Sequence, residues 1–163
     1  MIKLSLPLLA CGLLLAACTQ APRLDPQHPG PHELALQLLT STHDGRITYI
    51  VLNTKNILSF GGGRQARIGV AKPVGTITQD DQQQILRIIA QYNLLHAPGR
   101  FMPQGQAVTY NCDLTVDGFH HHFACADLEV PGMDQLQAAL IAIESRLHYG
   151  RNPLIEDLPT PKR

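Results

Sequence analysis

Tryptophan is absent from the chain, and only 5% of its residues are aromatic. That scarcity argues against a stacking platform for sugars or bases. An excess of charge is missing too, since 13 basic residues meet 13 acidic ones. Neither nucleic acid nor an anionic surface is therefore indicated as a partner. No apolar run reaches the roughly 20 residues that a bilayer-spanning helix needs. No G-x-S-x-G occurs, and Ser41, Ser59 and Ser145 sit in no nucleophile context. No internal repeat is visible.

What is present begins with "MIKLSLPLLACGLLLAAC". Lys3 precedes a short apolar run that ends in small residues, the layout of a secretory signal. Pro7 and Gly12 interrupt the run, which excludes a buried core helix. Its exit, Leu15-Ala16-Ala17-Cys18, resembles a bacterial lipobox. The resemblance implies a diacylglyceryl group on the Cys18 thiol, cleavage of residues 1–17, and a membrane partner reached through the acyl anchor. Thr19 stands where an inner-membrane retention signal would place Asp, which implies sorting to the outer membrane. Cleavage leaves the length of one domain. It also removes Lys3, leaving the balance one charge acidic. Cys11 departs with the signal and Cys18 is lipidated. Only Cys112 and Cys125 then remain, in an oxidising compartment.

Residues 18–32 hold four prolines and no apolar periodicity, so they read as a disordered tether. The tail, 151–163, holds three prolines and reads similarly, although Leu154, Ile155 and Leu158 offer a docking surface. Between them lies a domain over 33–150. "ELALQLLTST" and "GRITYIVLN" read as two strands around His43-Asp44-Gly45, followed by "NILSF". "GGGR" breaks the chain before "QARIGVAKPV", a candidate fourth strand. "TQDDQQQILRIIAQYNLL" is a helix capped by Thr78, with Asp81 at its third position and Ile85, Ile88, Ile89, Tyr92 and Leu95 on one face. A second helix spans about Met133 to His148, striped by Leu136, Leu140, Ile143 and Leu147. The expected fold is α+β: an antiparallel sheet of five to six strands with two helices on one face.

The chemistry-bearing residues gather in "YNCDLTVDGFHHHFACAD". Alternation makes residues 110–117 a half-buried strand with Tyr110, Cys112, Leu114 and Val116 inward. The returning strand turns His121, Phe123 and Cys125 inward, and His120 and His122 outward. A loop at Asp117-Gly118 sets Cys112 opposite Phe123, with the thiols diagonal. A loop at Gly118-Phe119 gives glycine the first position of a II′ turn and sets Cys112 opposite Cys125. The second register is preferred, and with it a cross-strand disulfide between Cys112 and Cys125. His120 and His122, with Asp113 on the facing strand, offer three ligands of a kind that zinc or copper accepts. The expected reading is nevertheless a solvated polar strand face, with no metal or cofactor. His96, His32 and His148 are candidates for a further ligand, if the fold brings one of them near. His121 reads as a packed, hydrogen-bonded histidine.

Other signals are weaker. "SFGGGRQAR" presents Arg64 and Arg67 beside backbone amides, but it lacks the Gly-Lys-Ser/Thr ending of a phosphate loop and precedes no expected helix. Asp80 and Asp81 are neighbours that do not face one another on a helix, and they read as first-turn dipole partners.

The motifs "ITQDDQQQIL" and "YNCDLTVDG", with Pro131 ahead of the last helix, resemble emfourin-like domains over about residues 46–148. These are small bacterial α+β inhibitors of thermolysin-type metalloproteases. The chain also resembles bacterial lipoproteins whose domain has no assigned activity. The resemblance implies a protein-binding, non-enzymatic module. The alternative is a metal-binding lipoprotein that uses His120 and His122. Exposed loops such as Gly61–Arg67 and Ala97–Gln106 are the expected contact regions.

Overall fold

Six strands and three helices follow one another in a computed structural model that describes residues 20–99, 108–126 and 129–150. The strands are β1 (Leu34–Thr42), β2 (Ile47–Leu52), β3 (Ile57–Gly62), β4 (Lys72–Thr76), β5 (Val108–Val116) and β6 (Phe119–Ala126). The helices are α1 (Arg64–Arg67), α2 (Gln79–Gln91) and α3 (Met133–Tyr149), and a 3-10 turn covers Leu94–His96. The strands form one antiparallel sheet in the order β4-β3-β2-β1-β5-β6. The fold is α+β, as the sequence pattern indicates.

Alternation builds the core. Leu34, Leu36 and Leu38 of β1, Ile50 and Leu52 of β2, and Cys112, Leu114 and Val116 of β5 are buried on one face. Ile85, Leu86 and Ile89 of α2 and Leu136, Leu140 and Ile143 of α3 close over them. Each such aliphatic side chain contributes about 2 kcal/mol when fully buried. α1 packs on β2 and β3 with Ala66 buried outside that core, while α2 and α3 both lie on the core face.

α2 starts where the sequence places it. The Thr78 hydroxyl accepts from the Asp81 amide at 3.2 Å, and Asp81 Oδ2 accepts from the Thr78 amide at 2.8 Å. This reciprocal box satisfies two otherwise unpaired donors. Arg146 of α3 donates to the same Asp81 oxygen at 2.5 Å, which ties the two helices together. At the other end of α2, Gly132 (φ 90°) lies against the Tyr92 ring, where a Cβ would overlap the ring atoms.

Two expectations along this path need correction. The candidate strand 65–74 is a helical turn over Arg64–Arg67, and the strand begins only at Lys72. The GGGR stretch therefore does precede a helix, although one of a single turn. A close approach explains the break: a Cβ at Gly61 would overlap the Val70 carbonyl, so β3 is pressed against the returning chain. β4 is a short edge strand with a register shift against β3, which accommodates Pro73 and its missing N–H.

The expected tether is also different. Residues 20–32 lie along α2, where Gln83 Nε2 donates to the Gly30 carbonyl at 2.6 Å and Gln82 Nε2 to the His32 carbonyl at 3.0 Å. Pro29 is buried, and Ala21 and Leu24 pack against the core. Cys18 with the lipobox, and the tail 151–163, lie outside the described residues, as does most of the Ala97–Gln106 loop.

Candidate functional site

The β5–β6 hairpin decides the geometry of the candidate residues. Its loop is Asp117-Gly118, with φ of 49° and 78°, the pair of positive angles that a I′ turn requires. The preferred Gly118-Phe119 loop is thus overturned, and the other register holds. A tertiary clamp favours it. Asp117 Oδ1 accepts from the Glu33 amide at 2.9 Å, and Oδ2 lies 2.5 Å from His32 Nδ1. The Asp117 amide in turn donates to the Glu33 carbonyl at 3.0 Å. Burial pushes the Asp117 carboxyl up, but His32 and the Glu33 amide outweigh it and hold it below its ordinary value.

In this register Cys112 faces Phe123, and Cys125 faces Tyr110. The thiols are diagonal, a relation that separates Cα atoms by about 7–8 Å in a regular sheet. That exceeds what a disulfide spans without backbone movement. The structure accordingly carries Cys112 and Cys125 as buried thiols rather than as the expected disulfide. Burial, with the nearby Asp113 and Cys125 charges, pushes the Cys112 thiol far above its ordinary value. A thiol so held supplies no thiolate nucleophile near neutral pH.

On the outward face, Asp113 pairs with His122 and Thr115 with His120. His122 Nδ1 lies 2.9 Å from Asp113 Oδ1, and His120 Nε2 lies 3.4 Å from the same oxygen. The side chains of His120, His122 and Asp113 are 60%, 52% and 39% exposed. The three candidate residues are therefore brought together, but as imidazoles sharing one carboxylate oxygen. Among the described residues, no group of three His, Cys, Asp or Glu side chains is placed to hold a metal ion. His32 is engaged by Asp117, and His96 Nδ1 by Asn93 Oδ1 at 2.8 Å. His148 stands edge-on to Tyr149. None of these is directed to Asp113. His121 Nε2 lies 2.8 Å from the Ala97 carbonyl, and its ring stacks on Phe123.

The His–Asp cluster borders a larger surface. A shallow groove of about 410 Å³ crosses the open face between β2, β1 and β5, lined by Ala35, Gln37, Val51, Asp113, Thr115 and His120 among others. A smaller hollow of about 120 Å³ continues it toward Leu39, Tyr49 and Asn111. Tyr49 Oη donates to Gln37 Oε1 at 2.6 Å, fixing a ring edge on this surface. At the β4 side of the molecule, Ile68 and Val70 are 67% and 42% exposed. Alternation along β1, β2 and β5 was a usable signal for the open face. The exposure of Ile68 and Val70 had none, because it follows from the α1 turn.

No protein-family model matches the chain, and a search of curated proteins finds no match. Among the described residues, no helix is long and apolar enough to cross a membrane.

Proposed function

We propose that this chain is a lipoprotein of the cell envelope, anchored in the outer membrane through Cys18, whose domain binds another protein and catalyses no reaction. The observation that carries the binding part is the open groove over β2, β1 and β5. It joins half-exposed Leu39, Val51 and Tyr49 to polar Gln37, Asn111 and Asp113. Mixed apolar and polar surface over a broad, shallow face suits a protein partner better than an enclosed small-molecule pocket. The resemblance to emfourin-like inhibitors agrees with this reading, and a protease is one partner it points to. Fold likeness alone does not carry inhibition.

The anchor is tested by partitioning. The mature protein should enter the detergent phase, and Cys18→Ala should remain aqueous with an uncleaved signal. A wild type that stays aqueous would remove the lipoprotein reading. One geometric observation favours a second reading. His120 and His122 share one Asp113 oxygen, and a metal would have to displace those contacts and re-space the three side chains to gain them as ligands. Zinc titration by calorimetry separates the two. Weak binding unaffected by His120→Ala or His122→Ala fits the protein-binding module. Submicromolar binding lost in either variant establishes the metal reading instead.

A further inference from the structure

The packed N-terminal segment determines how an anchored domain stands on its membrane. Were residues 18–32 a loose chain, about 15 residues would give a reach of roughly 20 Å on average and some 50 Å when extended. Residues 20–32 run instead antiparallel to α2. His32 and Gly30 meet Gln82 and Gln83 near the start of the helix. Residues 20–24 border a groove of about 520 Å³ with Ile89, Ala90, Asn93, Leu95 and His96 at its end. Prolines suit this arrangement. They lack N–H donors and have preset φ, so the segment loses little entropy on docking and offers carbonyls that the glutamines fill. Gln20 follows Cys18 by two residues, at most about 7 Å of chain.

We infer that residues 20–32 are a strap that pins the acylated Cys18 to the C-terminal end of α2, so that the domain rests its β6 edge on the bilayer. The inference rests on the lipid-anchor reading proposed above. The 3-10 turn that follows α2 leads to Ala97, whose carbonyl meets His121 of β6. The anchored end is therefore beside β6, at one margin of the sheet. β4 lies at the opposite margin, five strand spacings or about 24 Å away, and α1 packs on β2 and β3 in the half of the sheet remote from β6. The bilayer is the surface that the β6 side faces, while exposed Ile68 and Val70 lie in the half of the sheet remote from it.

Acylated protein purified from membranes and reconstituted into phosphatidylethanolamine–phosphatidylglycerol vesicles tests this directly. A fluorophore is attached to Gln91→Cys at the end of α2, or to Arg67→Cys in α1, and quenched by a label on lipid headgroups. Both positions are exposed. The Gln91 position should be quenched at least twofold more than the Arg67 position. Gln82→Ala/Gln83→Ala should bring the two toward parity, with the fold intact by circular dichroism. Equal quenching in the parent protein, or stronger quenching at Arg67, would overturn the strap. An undiminished contrast in the double variant would overturn the role of the glutamines. The intact mass separates this failure from that of the anchor: acylated protein with equal quenching keeps the anchor and loses the strap. Protein without the diacylglyceryl mass loses both.

Discussion

Asp81 does two jobs with one carboxylate, capping α2 and holding Arg146 of α3. Burial pushes its pKa up, but the Arg146 and Thr78 hydrogen bonds outweigh this and hold it below the ordinary value. A carboxyl depressed on folding stabilises the protein above its unfolded pKa, about 3.9 for Asp, and loses that contribution as pH falls through the folded value. Arg146→Met should therefore cost about 1 kcal/mol at neutral pH. The deficit should shrink below pH 4 as Asp81 becomes protonated, which urea denaturation at several pH values would reveal. A deficit constant with pH would sever the link to this pair. The cap was readable because it is local, Thr78 and Asp81 being three residues apart; Arg146 was not, because only the packing of α3 on α2 brings it there. Gly132 offers a second test. Gly132→Ala adds a Cβ into the Tyr92 ring at a positive φ, and it should lower stability by roughly 2 kcal/mol. Thermal melts would show the loss, and an unchanged midpoint would refute the contact.

Among the elements, the β5–β6 hairpin shows what a pattern of alternation leaves open. Inward and outward faces follow from the residues alone, but the register depends on which two residues form the loop. Gly118 is compatible with either turn. The choice falls to the Asp117 clamp on His32 and Glu33, residues far away in sequence. The diagonal thiols follow from that choice. Cys112 should be alkylated in unfolded protein without prior reduction, and it should resist alkylation while folded. Peptide mass analysis that finds Cys112 blocked until reductant is added would contradict the Asp117-Gly118 register. The proline-rich strap was missed for a related reason. Its composition reads as disorder, while its docking partners, Gln82 and Gln83, look like ordinary polar residues of a helix. Nothing local joins the two.

For the whole molecule, one surface of the sheet is packed beneath α2 and α3, and the other carries an open groove over β2, β1 and β5. A sheet with one face closed and one open has a stable scaffold and an accessible platform. On the proposed reading, the acyl anchor holds that platform at the membrane and a protein partner covers it. Photo-crosslinking in intact cells tests this most directly. A photoreactive residue is placed at Gln37 or Thr115 on the open face, or at Arg87 on the exposed side of α2. The account predicts one discrete protein adduct from Gln37 and Thr115, absent at Arg87 and lost when Val51→Asp places a charge in the groove. Adducts that are equal at all three positions, or absent from the open face, would contradict it.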